Sequence, residues 1–315
     1  MRSSKSNPPQ LDHLTTEQVN PASAELDLKS SLELVQIINS EDAKVAKAVE
    51  RALPQVAQAI DLIANALRQG GRLIYVGAGT SGRIAALDAA ECPPTFNTDP
   101  KFVQFVIAGG IKALGAAVEA NEDSHTLGES ELAKKKPGKK DVAVGIAASG
   151  RTPFTVAAVE YARRKGAKTV AVTCNPDSPL GNAADVSIVA EVGPEVVSGS
   201  TRMKAGTAQK MILNMLSTGA MAKLGYIYGN LMVNVHLKNE KLVERGVSIL
   251  QRATGVGRED AVKALKASGN RVPVALVMQQ AGASILQAEK ALKSTGGHVR
   301  KAIAAAKVIT EANPR

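Results

Sequence analysis

Apolar residues recur at helical spacing in the first part of the chain, between residues 27 and 68. Residues three or four apart share one face of a helix, so this spacing predicts two or three amphipathic helices. A polar break at residues 39–42 separates them, and Pro54 indicates a kink. Gly70 and Gly71 end the last helix, as glycine commonly does.

The pattern changes in the middle of the chain to short runs that are nearly continuously apolar. Such runs, alternating with helical patterns, are typical of parallel strands covered on both faces. Five strands are predicted, at residues 73–76, 102–107, 142–146, 169–173 and 186–189. Helices are predicted at residues 84–90, 112–120, 154–165 and 203–223. The fold class is therefore α/β, with a doubly wound, five-stranded parallel sheet that binds ligands at the carboxyl ends of its strands.

The last part of the chain contains an internal repeat. Residues 255–269 match residues 282–296 after a shift of 27 positions, which aligns Leu265 with Leu292. A short self-similar unit of this kind predicts a duplicated helix pair, so we expect a small C-terminal helical module. The chain then divides into an N-terminal helical arm, the α/β domain and a helical C-terminal region, at residues 1–59, 60–225 and 226–315.

Composition narrows the classes of protein that fit. The 315 residues carry a net charge of +10, but only 3% are aromatic and none is Trp, so platforms that stack nucleic-acid bases are hard to build. The densest basic run, residues 134–140, contains Pro and Gly and fits a solvated loop. We therefore expect no nucleic-acid partner.

Several segments that would place a protein in or beyond a membrane are missing from the sequence. No stretch of about 18 apolar residues is present, and residues 1–10 lack the apolar core of a signal peptide. Cys92 and Cys174 are far apart and show no metal-ligand spacing. We expect a cytoplasmic protein with no membrane contact, no disulfide framework and no metal site.

Three turns rich in Gly, Ser and Thr carry the candidate chemistry. The first, residues 77–82, follows the first strand; the second, residues 148–153, follows the third strand; and the third, residues 198–204, precedes the long helix. Backbone N–H groups at a helix start, with short hydroxyls beside them, bind phosphate groups well. Capping by Ser or Thr explains one such turn equally well, but three at the strand ends of one sheet favour a ligand site.

The first turn also satisfies the G-x-G-x-x-G pattern of dinucleotide-binding proteins. That pattern needs an acidic residue near the end of the next strand, to bind the ribose hydroxyls. Here the next strand ends in residues 107–110, Ile-Ala-Gly-Gly, without a carboxylate. The sequence therefore does not predict an NAD site, and no cofactor is expected.

With these turns in view, the sequence resembles the family of sugar isomerase (SIS) domains, which bind phosphosugars. Within it, residues 193–210, GPEVVSGSTRMKAGTAQK, are similar to a signature shared by the glucokinase regulatory protein and the N-acetylmuramic acid 6-phosphate etherases. Similarity to the etherases extends over most of the chain through further motifs, at residues 16–21, 90–95, 121–124 and 239–242. The resemblance implies a homodimer with sites near the interface, for which the N-terminal helices and the long helix offer surfaces.

The etherase resemblance implies cleavage of a lactyl ether on a muramic sugar phosphate, in peptidoglycan recycling and amino-sugar catabolism. The C2 proton of the open-chain sugar lies next to the aldehyde and is acidic, so the lactyl oxygen at C3 can leave by elimination before water adds back. This route needs a general base and a general acid. The expected phosphate-binding residues come from the three turns: Gly79, Thr80, Ser81, Arg83, Ser149, Gly150, Arg151, Thr152, Ser198, Ser200 and Thr201. Arg202 and Lys204 are expected to add positive charge.

Two carboxylates match the catalytic pair of the family. By resemblance, Glu91 is the proton donor and Glu122 the second acid or base; the sequence leaves open which of them takes the C2 proton, and Glu119 and Asp123 compete with Glu122. The helix of the first turn is expected to stop at residues 92–94, Cys-Pro-Pro, which would return Glu91 toward the ligand face. Cys92 beside it has no base placed to activate it as a nucleophile.

Two other functions fit the same fold. A sugar-phosphate sensor that binds a protein partner would need neither Glu91 nor Glu122, so the presence of both favours the lyase. An aldose–ketose isomerase would also move the C2 proton, but the motif at residues 90–95 favours the etherase.

Overall fold

The computed structural model describes residues 14–116, 118, 121–237 and 239–312. Residues 1–10, which bear on the expectation about a signal peptide, and Glu119, the competitor of Glu122, lie outside this part of the chain. The described residues form an α/β unit followed by a helical unit, each with its own hydrophobic core.

The α/β unit is built on one parallel sheet. Its strands are β1 (Leu73–Gly77), β2 (Val103–Ile107), β3 (Val142–Ile146), β4 (Lys168–Thr173) and β5 (Val186–Val189). Their order is β2-β1-β3-β4-β5, and each strand is parallel to its neighbours. All five predicted strands are confirmed, with their ends within one residue of the prediction, because each run is mostly apolar and is followed by a small residue.

Helices cover both faces of the sheet. One face packs against α2 (Val45–Arg51), α3 (Leu53–Arg68), α4 (Gly79–Phe96) and α8 (Lys204–Leu224). The other face packs against α5 (His125–Ala133), α6 (Pro153–Arg164) and α7 (Pro179–Ala183). This is the predicted doubly wound arrangement. The strand order reverses at β1, so a crevice opens between the carboxyl ends of β1 and β3.

Three helices precede the sheet, as the apolar spacing predicts: α1 (Ser31–Asp42), α2 and α3. The capping box of Ser30 and Glu33 starts α1, and Pro54 lies in the first turn of α3, where its missing N–H is not needed. Helix α3 runs across the boundary predicted between residues 59 and 60 and packs in the core of the sheet. The division into three domains stays a prediction.

The C-terminal unit consists of five helices: α9 (Glu240–Thr254), α10 (Arg258–Ala267), α11 (Val272–Ala281), α12 (Ile285–Ser294) and α13 (Val299–Ala312). The pair α10 and α11 recurs as α12 and α13 after 27 residues, so the predicted duplication is confirmed. Gly269 and Gly296 follow the first helix of each pair and share a positive φ, of 66° and 63°. Their equivalent backbone explains why both copies keep glycine there.

Two predicted elements are wrong in their extent. Helix α4 continues through Pro93 and Pro94 to Phe96 instead of stopping at Cys92, because Cys92 and Phe96 lie on one helical face and are both buried in the core. In the described part of the helix predicted at residues 112–120, the structure has only a short 3-10 helix, Gly110–Leu114, which begins at two glycines of positive φ, Gly109 and Gly110. Residues 117, 119 and 120 lie outside the described part of the chain. The basic run at residues 134–140 is a loop, as predicted.

Candidate active site

The first turn connects β1 to α4 at the crevice. Gly79 has a φ of +52°, and a Cβ added to Gly82 would lie 2.5 Å from the Ile107 side chain, so glycine lets α4 approach β2 closely. Ser81 is 9% exposed and Thr80 is half-buried. Among the described residues, no acceptor is bound by the Thr80 and Ser81 amides, so the start of α4 can receive an anion.

The second turn lies across the crevice, at the end of β3. Gly150 has a φ of +67°, and a Cβ there would meet Ser178 at 2.4 Å. The Arg151 amide donates to the Ser149 hydroxyl at 3.2 Å, while the Thr152 hydroxyl makes no capping bond to α6. Because β1 and β3 are parallel neighbours, this turn lies beside the first turn at the same edge of the sheet.

Glu122 joins the two turns. Its carbonyl oxygen accepts a hydrogen bond of 3.0 Å from the Phe154 amide, in the first turn of α6. Its carboxylate oxygen Oε1 lies 3.2 Å from the position that a Cβ on Gly79 would take. Glu122 therefore lies beside the start of α4. The Phe154 amide is bonded to the Glu122 carbonyl and is not available to bind a phosphate. Asp123, its competitor, follows it in the same loop.

The third turn lies next to the first. The Thr201 carbonyl and the Thr80 methyl group are each 3.6 Å from the Cβ position of Gly206, in the first turn of α8. Ser198 donates its hydroxyl to the carbonyl of Glu17 at 3.1 Å, which ties the third turn to the N-terminal segment. The backbone of the third turn thus lies near the start of α4.

The start of α8 is not the open anion site that the sequence suggested. The buried Glu195 carboxylate accepts hydrogen bonds from the amides of Lys204 and Ala205, at 2.9 and 3.0 Å. Burial raises the pKa of Glu195, and these two amide bonds oppose the rise. A carboxylate from the same chain already occupies the positive end of this helix.

The positively charged side chains near the turns differ in exposure and in their partners. Arg83 donates to the Ala116 carbonyl at 2.8 Å and fastens the segment after β2 to α4. Arg202 is exposed. The expectation that Lys204 adds charge to the phosphate site is wrong, because its ammonium is 1% exposed and lies 2.7 Å from the buried Glu41 carboxylate.

The buried pair of Lys204 and Glu41 was missed at the sequence level. Asn20 donates its side-chain amide to Glu41 at 3.0 Å and to the Pro194 carbonyl at 3.1 Å, so the pair also holds the N-terminal segment. Burial disfavours the charged carboxylate, but hydrogen bonds from two lysines and Asn20 outweigh it and lower the pKa of Glu41 to about 2. No local pattern relates residues 163 positions apart, so periodicity could not have found this pair.

Glu91 lies elsewhere on α4. It is exposed and lines a groove of about 350 Å³ between α4 and α8, together with Ile84, Leu87, Asp88, Lys210, Leu213 and Asn214. Because α4 is continuous, Glu91 lies twelve residues beyond Gly79, or about 18 Å along the helix at about 1.5 Å per residue. The expected return of Glu91 toward the ligand face is therefore wrong within one chain, and the structure does not bring Glu91 and Glu122 together there.

A buried polar network supports the groove from below. Asp88 accepts hydrogen bonds from the hydroxyls of Tyr75 and Ser217, at 2.8 and 3.0 Å. Burial raises the pKa of Asp88, and the two hydroxyls and Lys210 oppose the rise. The network joins β1, α4 and α8, so it fixes the two walls of the groove relative to each other.

Two features bear on cofactors and membranes. In the described ranges, no three His, Cys, Asp or Glu side chains come together as metal ligands. No helix in the same ranges is long and apolar enough to cross a bilayer.

Comparison with known proteins identifies the relatives of this chain. Residues 55–163 match the model of the glucokinase regulatory protein N-terminal SIS domain, and residues 130–219 match the SIS domain. Among solved structures, a phosphoheptose isomerase from Francisella tularensis aligns with a TM-score of 0.47 and 20% identity, over 61% of this chain and 98% of that one.

Curated relatives are much more similar. The N-acetylmuramic acid 6-phosphate etherase of Photorhabdus laumondii is 52% identical over 295 residues, which cover 94% of this chain and 98% of that protein. The protein of the same name from Symbiobacterium thermophilum is 57% identical over 274 residues, 87% of this chain and 91% of that protein. Identity at this level over nearly the full length shows that the chain belongs to the N-acetylmuramic acid 6-phosphate etherase family.

Proposed function

We propose that this protein is a lyase that cleaves the lactyl ether of N-acetylmuramic acid 6-phosphate, giving N-acetylglucosamine 6-phosphate and D-lactate. The observation that carries the proposal is the place of Glu122, beside the open start of α4 and between two hydroxyl-bearing turns. The crevice thereby offers one ligand a helix start that can bind its phosphate group and a carboxylate that can act as a general base. Relatives about 50% identical carry the name of this etherase.

The reaction follows from the chemistry of the open-chain sugar. The phosphate binds to the Thr80 and Ser81 amides, with the hydroxyls of Ser149 and Thr152 facing it from the second turn. Glu122 takes the C2 proton, the bond between C3 and the lactyl oxygen breaks, and Glu91 gives that oxygen its proton. Water then adds at C3 while the proton returns to C2, so neither carboxylate is consumed.

The two carboxylates lie far apart within one chain. Glu122 lies beside Gly79, and Glu91 lies about 18 Å farther along α4 at about 1.5 Å per residue. In the substrate, by contrast, the C2 carbon and the ether oxygen are only two bonds apart. A second copy that sets its Glu91 groove against the crevice would bring the two carboxylates to one substrate, which is why we include a homodimer in the proposal.

Exposed apolar residues offer a surface for that second copy. Leu87 on α4 is 48% exposed beside the Glu91 groove, and Ile111, in the 3-10 helix that packs on α4, is 71% exposed. Leu32 and Val35 of α1 are also exposed, at 65% and 57%. The apolar side of α8 is buried in its own core, so this helix contributes its polar side. Apolar residues in such positions are typical of interfaces between subunits.

The cellular setting belongs to the same proposal. A sugar phosphate carries charge that a bilayer excludes, so it stays in the compartment where it is made. We place the reaction in the cytoplasm, in recycling of cell-wall amino sugars. Cell fractionation that recovers the protein with the membranes would contradict this placement.

The first experiment measures D-lactate release from N-acetylmuramic acid 6-phosphate by the purified protein. We expect release by the wild type, and loss of more than about 100-fold in Glu91→Gln and Glu122→Gln, since general acid–base groups contribute about 10²- to 10⁴-fold. The exposed Glu160 of α6 provides the control, and Glu160→Gln should keep full activity. Binding of the sugar phosphate without any lactate release by the wild type would refute the lyase and favour a sensor.

Mixing the two inactive variants tests the shared site. In a dimer of one Glu91→Gln chain and one Glu122→Gln chain, one site has both carboxylates intact and the other has neither. After random exchange of subunits, the mixture should recover about one quarter of wild-type activity. No recovery after confirmed exchange would show that both carboxylates act within one chain.

A further inference from the structure

The Glu91 groove contains a cation that the proposed mechanism does not use. Lys210 and Asn214 lie one turn apart on α8 and face the side of α4 that carries Glu91. Both side chains are exposed, and Lys210 forms no ion pair with any residue that the structure describes. The ammonium group of such an exposed lysine can donate hydrogen bonds to the carboxylate of a ligand without first breaking an ion pair within the described protein.

The geometry of the substrate places a carboxylate near this cation. Three bonds separate the ether oxygen that Glu91 protonates from the carboxylate oxygens of the lactyl group, a distance of at most about 4 Å. A ligand whose ether oxygen meets Glu91 therefore has its carboxylate and its methyl group within reach of the groove that Glu91 lines. The groove matches both, because the exposed Leu87 and the half-buried Ile84 add apolar surface to the groove that Lys210 lines.

We propose that Lys210, together with the Asn214 amide, binds the lactyl carboxylate of the substrate and makes the enzyme specific for muramic over other amino-sugar phosphates. The inference rests on the proposed function, since it takes Glu91 as the acid at the ether oxygen. Glu91 and Lys210 line the same groove, so in a site shared by two copies both residues belong to the same copy. The acid and the carboxylate site then come from one copy, and the phosphate site comes from the other.

The test compares Lys210→Met with the wild type on two substrates. For N-acetylmuramic acid 6-phosphate we expect KM to rise about 10- to 100-fold, the range for loss of a charge-assisted hydrogen bond. For the methyl ester of its lactyl carboxylate, the variant and the wild type should have equal KM values, because the charge that Lys210 recognises is gone. Lys210→Arg, which keeps the charge, should recover most of the loss on the acid.

Controls separate this role from others. Lys223→Met alters another exposed lysine of α8, outside the groove and paired with Asp61, and should leave KM unchanged. The Kd of Lys210→Met for N-acetylglucosamine 6-phosphate, which lacks the lactyl group, should stay within about twofold of the wild type. Equal losses on the acid and the ester, or a weaker Kd for N-acetylglucosamine 6-phosphate, would overturn the proposal. Absence of lactate release by the wild type would refute the proposed function instead.

Discussion

Removing the charge of Glu41 should destabilise the protein strongly although this residue lies outside the site. Glu41→Gln keeps the shape of the side chain but leaves the Lys204 ammonium buried without a counter-charge. The pKa of Glu41 falls from its ordinary value of 4.5 to about 2. At about 1.4 kcal/mol per tenfold change in the ionisation constant, this corresponds to about 3 kcal/mol of stability at pH 7. Breaking a buried pair typically costs about 3–5 kcal/mol, which agrees.

The effect has a defined pH dependence. A carboxyl whose pKa is lowered in the folded state stabilises the fold above its unfolded pKa and loses that contribution as the pH falls toward its folded pKa. The contribution of Glu41 is therefore complete at pH 7 and declines between pH 4.5 and about 2. At pH 3, the difference between wild type and Glu41→Gln should be about half of its value at pH 7.

Urea denaturation, followed by far-UV circular dichroism at both pH values, measures this difference. Glu50→Gln is the matched control, because Glu50 pairs with Lys47 at 2.9 Å on the surface of α2, with side chains 59% and 77% exposed. Such a pair contributes less than about 1 kcal/mol. Equal losses in the two variants, or a loss in Glu41→Gln that does not change with pH, would refute the reasoning.

Two further predictions concern the core. Gly128→Ala would put a Cβ 2.1 Å from the Phe154 carbonyl oxygen. We expect it to lower the free energy of unfolding by about 1–3 kcal/mol, and to reduce activity because the neighbouring Phe154 amide binds Glu122. Thermal melts measure the loss of stability, and Gly138→Ala is the control because a Cβ there has no atom within 4 Å. Burial raises the pKa of Cys92 and of Cys174 to about 12. Neither thiol should therefore react with a disulfide reagent at pH 8 until urea unfolds the chain. Rapid labelling of the native protein would contradict the buried positions of these thiols.

The sheet could be predicted from sequence because its signal is local. Each strand is a nearly continuous apolar run, and burial on both faces of a parallel sheet favours such a run. The extent of α4 could not be predicted in this way. The two prolines at residues 93 and 94 signal a stop, yet Cys92 and Phe96 pack into the core from one helical face and hold the last turn in place. Packing between distant segments outweighed a local preference there.

The site was predicted in its parts but not in its arrangement. The glycines and hydroxyls of the first two turns indicated a crevice, and the structure brings those turns together with Glu122. Glu195 and Glu41 escaped notice because a lone glutamate usually lies on the surface and its sequence does not reveal a distant amide or lysine partner. Glu41 pairs with the Lys204 ammonium, and Glu195 binds the first amides of α8, so neither Lys204 nor the start of α8 is free to bind a ligand.

The three helix starts near the turns therefore differ in what they can bind. Glu195 occupies the start of α8, the Glu122 carbonyl takes the Phe154 amide at α6, and the described residues leave the first amides of α4 open. One open start favours one phosphate group per chain. Helix α4 carries this start at one end and the Glu91 groove toward the other, so Glu91 lies far from Glu122 within one chain. In the proposed dimer, the groove of a second copy lies against the open start of α4, so that catalysis depends on assembly.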